Sequence, residues 1–294
     1  MQCMHIFEGV PRVWYNPPTM APTLPPATWR LLITGPLNGA TNMAMDEAIL
    51  HALADGVGQP TLRFYQWEPP CLSLGYNQPW REVDTVACGR LGYSWVRRPT
   101  GGRAILHCDE LTYSVIAPDG EARVSGGIVE SYRRLSQGLL AGLRSLGADV
   151  FQAQGEKVSN PQQGAACFDT PSNYEITVEG KKLIGSAQVR RRGQVLQHGA
   201  LPLTGDLDRI FSCLSVPDGP SGGARGSLRS HALTLEEALR RTVSFEEVAD
   251  ALAAGFAGAL NLRLETGSLT DHESRLAGEF YRTRYTNDEW NCRI

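Results

Sequence analysis

The stretch "CFDTPSNYEITVEGKKLIGSAQ", residues 167–188, combines a cysteine with two lysines that could activate it. A thiolate is the reactive form of cysteine, and a thiol with an ordinary pKa near ~8.5 is only about 3% ionised at neutral pH. A nearby ammonium group favours the anion, so Lys181 or Lys182 could turn Cys167 into a nucleophile. Spacing alone leaves open the alternative that Cys167 is a buried thiol without a chemical role.

The segment "RRPTGGRAILHCDELTYS" (97–114) places a Gly-Gly bend, Gly101 and Gly102, among three arginines. The backbone N–H groups of such a bend, with the guanidinium groups of Arg97, Arg98 and Arg103, can bind a phosphate or a carboxylate. A solvated turn is an equally good interpretation of the segment by itself. The segment is not a P-loop, because the G-x-x-x-x-G-K-[ST] pattern is absent.

Two histidines are candidate acid–base or binding groups: His107 in this segment and His198 in "LQHGALPL" (196–203). A histidine in a strand is often structural, so each has that alternative. His107 and Cys108 would point to opposite faces of a strand, and none of the seven cysteines forms a C-x-x-C pair. We therefore expect no metal site.

The composition excludes several classes of protein. The chain has 294 residues, of which 42% are hydrophobic, and a formal net charge of −3, so nothing points to nucleic acid. No apolar run approaches the ~20 residues of a membrane helix. The odd number of cysteines favours a reducing cytoplasm.

Hydrophobic periodicity predicts the elements that must position these residues. We expect a helix from about Thr41 to Ala54, a long amphipathic helix in "GIVESYRRLSQGLLAGLRSLG", and a helix in "FEEVADALAAGFAGAL". Thr234 with Glu237 and Ser244 with Glu247 fit the capping-box pattern. The tail from about 269 is again helical in pattern.

The opening stretch begins a predicted three-strand meander, with strands at about 174–179, 182–190 and 194–203. A period of two places Lys182, Ile184, Ser186 and Gln188 on one face of the middle strand. Lys181, Leu183 and Ala187 then lie on the other face, so only one lysine shares the face of Ser186. Gly185 would allow a ligand or a backbone to approach closely.

Three segments together resemble the superfamily of lipoate-protein ligases and octanoyltransferases, and most of all its LipM-type octanoyltransferases. They are "NMAMDEAIL", "RRPTGGRAILHCDELTYSV" and "CFDTPSNYEITVEGKKLIGSAQVRRRGQVLQHGALPL". The resemblance covers roughly residues 29–260. It implies an α+β (mixed α/β) catalytic domain of the type shared with biotin protein ligases, with a mixed, largely antiparallel sheet flanked by helices.

The resemblance also implies roles for individual residues. In the family, a cysteine fifteen residues before a lysine carries the acyl group as a thioester, and that interval separates Cys167 from Lys182. Lys182 would lower the thiol pKa. The loop residues Arg98, Gly101, Gly102 and His107 would hold the acyl group. The remaining expected binding residues are Gly185, Ser186, Ala187 and His198.

The implied activity is transfer of an octanoyl group from octanoyl-acyl carrier protein to a lysine of a lipoyl domain, typically that of the glycine cleavage H protein. Either Lys182 or His107 could accept the proton of the acceptor lysine. Three alternatives remain: an ATP-dependent lipoate ligase, an amidotransferase between lipoyl domains, and a non-catalytic acyl-binding module. Arg103 stands where ligases usually have a third glycine, which weakens the ligase alternative.

The expected organisation is a proline-rich arm at 1–28, a catalytic domain at 29–265 and a helical tail at 266–294 that packs on or extends the domain. We expect a cytoplasmic monomer that uses no cofactor and binds neither nucleic acid nor membrane.

Overall fold

The computed structural model describes residues 24–153, 175–215 and 227–294. Cys167 and most of the predicted arm lie outside these residues. The first strand begins at Ala27, two residues before the expected domain boundary, and the last strand ends at Thr266, one residue after the other boundary.

The central element is a mixed, largely antiparallel sheet of eight strands, as the resemblance implies. Its strands are β1 (Ala27–Leu37), β2 (Thr61–Trp67), β6 (Glu110–Pro118), β7 (Phe151–Gln152), β8 (Ile176–Val178), β9 (Lys181–Arg191), β10 (Gln194–Pro202) and β11 (Leu262–Thr266). They lie in the order β11-β1-β2-β6-β10-β9-β8-β7. The pairs of β1 with β11 and with β2 are parallel, and the other pairs of this sheet are antiparallel.

A second sheet of three short strands carries the arginine-glycine loop. It consists of β3 (Cys71–Leu74), β4 (Ser94–Arg97) and β5 (Ile105–His107), in the order β4-β3-β5. β3 is parallel to β4 and antiparallel to β5. The loop at 98–104 therefore leaves β4 at one edge of this sheet and returns to β5 at the other.

Helices cover both faces of the large sheet. The α-helices of the described residues are α1 (Gly39–Ala54), α2 (Thr85–Arg90), α3 (Ile128–Ser145), α4 (Leu235–Leu239), α5 (Phe245–Leu260), α6 (Asp271–Phe280) and α7 (Asp288–Asn291), of which α2 and α7 lie against β4 of the small sheet. α3 and α5 pack on one face with alternate residues of β6, among them Tyr113 and Val115. α1 packs on the other face, where Ile49 and Leu50 contact Ile116 of β6.

α3 and α5 cross at very short distance because small residues face each other. A Cβ atom on Gly255 would lie 2.4 Å from the carbonyl oxygen of Gly138, and one on Gly142 would lie 2.7 Å from that of Ala251. Glycine at these positions lets the backbones touch, which side chains would prevent. No helix among the described residues is long and apolar enough to span a membrane.

The predicted elements are confirmed in type and approximate position. α1 begins two residues earlier than predicted, because the Asn38 side chain caps it by accepting from the Thr41 N–H at 2.9 Å. Thr234 and Glu237 form a complete capping box at α4. The second box is only half formed: Ser244 caps α5, but Glu247 is turned to Arg241 at 2.7 Å.

Candidate active site

A cavity that opens to solvent, with about 400 Å³ of empty space including its open part, lies between α1, the three-stranded sheet and the facing segments of β9 and β10. Much of its wall is apolar, with contributions from Met43, Trp67 and Ile105. Seven of the residues predicted from the sequence line it: Arg98, Gly102, His107, Gly185, Ser186, Ala187 and His198. Gly101 and Lys182 are not part of the wall. A concave, largely apolar wall with a few polar groups is typical of a small-molecule site.

Two arginines of the predicted anion-binding loop are buried and bonded to the protein. Arg98 donates from Nη1 to the carbonyl oxygen of Ser73 at 2.9 Å and from Nη2 to the carbonyl oxygens of Gly101 and Arg103 at 2.8 and 2.7 Å. Arg97 donates to main-chain oxygens that include that of Gln78 at 2.6 Å. Arg97 and Arg98 therefore do not present their guanidinium groups to an anion, since both shape the loop, whereas the role predicted for the half-buried Arg103 stays a prediction.

The Gly-Gly bend is fixed by its close approach to the end of β3. A Cβ atom on Gly75 would lie only 1.8 Å from the carbonyl oxygen of Gly102, and the Tyr76 N–H donates to the carbonyl oxygen of Thr100 at 2.8 Å. Gly102 has a φ of +91°, which favours glycine. The loop is thus held in one shape at the cavity wall, while Gly101 faces outward.

His107 stands in a buried chain of hydrogen bonds that ends at the cavity. Its Nε2 lies 2.7 Å from the Ser73 hydroxyl and its Nδ1 lies 2.7 Å from Glu110 Oε1. Trp67 stacks on the imidazole with ring centroids 4.0 Å apart and an interplanar angle of 11°. Thr112 donates to the same Glu110 oxygen and accepts from Trp67 Nε1 at 2.8 Å.

His198 has a similar pair of neighbours on the other side of the cavity. Its Nε2 lies 2.6 Å from the Thr100 hydroxyl and its Nδ1 lies 3.8 Å from Asp46 Oδ2. Burial lowers the pKa of His198 despite the nearby Asp46 carboxylate. Burial alone would raise the pKa of Asp46, but Arg63, at 2.8 Å, and His198 outweigh it, so this pKa is lowered. His198 is therefore neutral and Asp46 ionised at neutral pH.

Lys182 is buried and paired with Glu175. Its Nζ lies 2.5 Å from Glu175 Oε1, and only 4% of the residue is exposed. Glu175 follows directly on the segment 154–174, which contains Cys167 and lies outside the described residues.

The predicted face of Lys182 is wrong because β9 contains a β-bulge. Across from β8, Ile176 pairs with Ile184 but Thr177 pairs with Lys182, so one extra residue lies between them. Leu183 and Ile184 consequently both enter the core beneath α3 and α5. Lys182 thus lies on the opposite face from Ser186, on the face of Ala187.

The two faces of the Gly-Ser-Ala segment (185–187) have different surroundings. The Ser186 hydroxyl lies 2.7 Å from the Tyr113 hydroxyl beneath the sheet, and burial raises the pKa of Tyr113 to about 12. Ala187 pairs with His198 across β9 and β10. β8 pairs with β9 only as far as Ile184, so one backbone edge of the Gly-Ser-Ala segment has no strand partner among the described residues.

Five polar residues of the site were not singled out from the sequence: Asp46, Ser73, Thr100, Glu110 and Glu175. Four of them lie in the segments that carry the resemblance, Asp46 in the first, Thr100 and Glu110 in the second and Glu175 in the third. Ser73 lies in none of these segments, and only the pairing of β3 with β5 brings it to His107. The described residues contain no group of three or more side chains that could hold a metal ion.

The comparisons with known proteins agree with this geometry. Residues 38–257 match the family described as the lipoyl protein ligase A/B catalytic domain. The chain is 47% identical over 272 residues to the octanoyltransferase LipM of Kyrpidia tusciae, covering 90% of this chain and 99% of the relative. It is 46% identical to the octanoyltransferase LipM of Symbiobacterium thermophilum, covering 90% and 98%.

A solved structure supports the same assignment. The bipartite lipoate protein ligase of Thermoplasma acidophilum, from an archaeal lipoylation system, superposes with a TM-score of 0.74 at 28% identity and covers 90% of this chain and 96% of its own. The fold, the cavity and the sequence matches lead to one conclusion: the chain belongs to the family of lipoyl protein ligase A/B catalytic domains.

Proposed function

We propose that the protein is an octanoyltransferase that moves an octanoyl group from octanoyl-acyl carrier protein to a lysine of a lipoyl domain, through a thioester on Cys167. The observation that carries this proposal is the 47% identity to an octanoyltransferase over 99% of that relative's length. The acceptor we expect is the glycine cleavage H protein, and the odd number of cysteines favours a cytoplasmic reaction.

The chemistry takes place in two steps. The Cys167 thiolate attacks the carbonyl carbon of the octanoyl thioester, and the pantetheine thiol of the carrier leaves. The amine of the acceptor lysine then attacks the acyl-enzyme, and the cysteine sulfur leaves. Two successive acyl transfers allow two large protein substrates to use one site in turn.

The described residues support both steps. The cavity is largely apolar, and burying an alkyl chain contributes ~0.8 kcal/mol per CH₂, so it favours a fatty acyl group over a polar one. Lys182, next to the segment that contains Cys167, favours the thiolate. The backbone edge at Gly185–Ala187, which has no strand partner among the described residues, can donate to the developing oxyanion.

The experiment that tests the proposal is incubation with octanoyl-acyl carrier protein followed by intact-mass measurement. We expect one octanoyl mass on the wild-type chain and none on Cys167→Ala. Cys292→Ala is the matched control, because Cys292 lies in the tail, outside the cavity wall. Continued modification of a lipoyl domain by Cys167→Ala would refute the thioester.

The same assay separates the transferase from an ATP-dependent ligase. Free octanoate and ATP replace the acyl carrier in a parallel reaction. Because Arg97 and Arg98 are both bonded to protein acceptors, neither offers its guanidinium group to a nucleotide phosphate, and we expect no product from the free acid. Product formation there would favour the ligase.

A further inference from the structure

The hydrogen bonds around Ser73 leave one consistent arrangement of protons when His107 is neutral. The Ser73 hydroxyl accepts from Arg98 Nη1 at 3.1 Å, so its own proton points to His107 Nε2 at 2.7 Å. Glu110 Oε1 already accepts from Thr112 and has its acceptor oxygen at His107 Nδ1, so in this arrangement Nδ1 carries the hydrogen that His107 donates to Glu110. The imidazole is therefore held as the Nδ1–H tautomer, with Nε2 free to take a proton from serine.

The same hydrogen-bond partners also accommodate a protonated His107. An imidazolium would donate from Nε2 to Ser73 Oγ and from Nδ1 to Glu110, and the serine proton would turn to the cavity that Ser73 lines. Glu110 is 3% exposed, so its charge acts on His107 with little screening. The parallel Trp67 ring adds a favourable face for a cation.

We propose that Ser73, His107 and Glu110 form a proton relay for the second acyl transfer, in which Ser73 takes a proton from the incoming lysine and His107 stores it. This inference rests on the proposed function. Ser73 is the group that touches the substrate, whereas Glu110 is a positioning residue that fixes the tautomer of His107. The base in this step is then His107 and not Lys182, which is already paired with Glu175.

The second acyl transfer conserves protons and bonds. The acceptor ammonium gives one proton to Ser73 Oγ while the serine proton passes to His107 Nε2. The neutral amine nitrogen bonds to the carbonyl carbon of the thioester, and the C–S bond breaks with its electron pair on sulfur. The second ammonium proton goes to that sulfur, which leaves an amide, a thiol and an imidazolium that releases its proton to solvent.

Several other charged or titratable groups face the relay. Arg98 lies at Ser73 and Cys71 pairs with His107 across β3 and β5. His198 approaches from β10 and Tyr65 from β2, and behind them lies the Asp46 carboxylate. None of these groups can replace His107, because no other side chain of the described residues is hydrogen bonded to both Ser73 Oγ and Glu110.

The test isolates the second step. Acyl-enzyme is formed from octanoyl-acyl carrier protein, purified, and mixed with a lipoyl domain, and the single-turnover rate is measured from pH 5 to 9. We expect His107→Ala and Ser73→Ala to slow the transfer by about 10²-fold at neutral pH, typical of a lost general base. The rate of the His107→Ala enzyme should rise continuously with pH, and added imidazole should restore it in part.

The matched controls are Ser94→Ala, in the same small sheet, and His272→Gln, on α6, and both should transfer at the wild-type rate. Nitrogen NMR of His107 provides a measurement that needs no activity. In the wild-type chain it should find the proton on Nδ1. In Glu110→Gln the imidazole should instead exchange between its two tautomers.

The outcomes separate the two proposals. If wild-type chain forms no acyl-enzyme, the proposed function fails and the relay has no transfer to serve. If acyl-enzyme forms and His107→Ala transfers with the wild-type rate and pH profile, the relay alone is refuted. An Nε2–H tautomer of His107 in the NMR spectrum would also refute it.

Discussion

Lys181 and Lys182 are adjacent in sequence but have different surroundings, and the difference bears on the chemistry of Cys167. Lys182 is buried with its ammonium on Glu175, whereas Lys181 is partly exposed at the end of the hairpin opposite Val178. A buried cation acts on a neighbouring anion more strongly than an exposed one, because water screens it less. Under the proposed function we therefore expect Lys182, and not Lys181, to favour the thiolate of Cys167.

Removing this cation should make the Cys167 thiol less reactive. We expect Lys182→Ala to move the pH dependence of Cys167 alkylation upward by about one pH unit, because the thiolate loses a favourable charge. The rate is followed by mass spectrometry of the peptide that contains Cys167. Lys181→Ala is the control and should leave the profile unchanged. Identical profiles for the two variants would restrict Lys182 to a structural role.

At the scale of elements, the sequence pattern predicted the features that depend only on residues close together in the chain. The meander, α1, α3 and α5 follow from periodicity and from turn and capping residues. The bulge at Leu183 could not be predicted, because it depends on pairing with distant residues: the Lys182 N–H donates to the His231 carbonyl oxygen at 2.7 Å, and the Leu233 N–H donates to the Lys182 carbonyl oxygen at 3.1 Å. Alternation therefore assigned Lys182 to the wrong face.

The contact of β9 with β10 can be tested at Gly199. A Cβ atom there would lie 2.5 Å from Ser186 Oγ and 2.6 Å from Tyr113 Cε1, so Gly199→Ala must displace a part-buried hydrogen-bonded pair. We expect a loss of about 1–3 kcal/mol in the free energy of unfolding, measured with urea. Gly35→Ala, at a strand position with no atom within 4 Å of the added Cβ, is the control. Equal losses in both variants would contradict the contact.

At the scale of the whole molecule, the site is assembled from distant parts of the chain. The resemblance named residues on the loop at 98–107 and on β9 and β10, and most of these line one cavity. It could not supply Ser73 or Glu175, whose roles depend on strand pairing. The strand order could not be predicted from local sequence pattern either, because β1 pairs in parallel with β11, which lies near the other end of the chain.

The C-terminal tail is joined to this assembly by a buried ion pair. Arg30 of β1 donates from Nη1 and Nη2 to the two oxygens of Glu273 on α6, each at 2.7 Å, and neither side chain is more than 1% exposed. Burial alone would raise the pKa of Glu273, but Arg30 and the N–H of Thr270 outweigh it and hold this pKa below its ordinary value. The pair therefore contributes stability only while Glu273 is ionised.

Breaking the Arg30–Glu273 pair should weaken the attachment of the C-terminal tail to the sheet. We expect Glu273→Gln to lower the free energy of unfolding at pH 7 by about 3–5 kcal/mol, because Arg30 is left buried without a counter-ion. A carboxyl group with a lowered pKa in the folded state stabilises above its ordinary pKa and loses that contribution as the pH falls. The difference between wild type and variant, measured by urea unfolding, should thus shrink below about pH 4.5, the ordinary value for glutamate. Glu279→Gln, exposed on the same helix, should change stability by less than about 0.5 kcal/mol. A difference that stays constant down to pH 3 would show that the charge of Glu273 does not hold the tail.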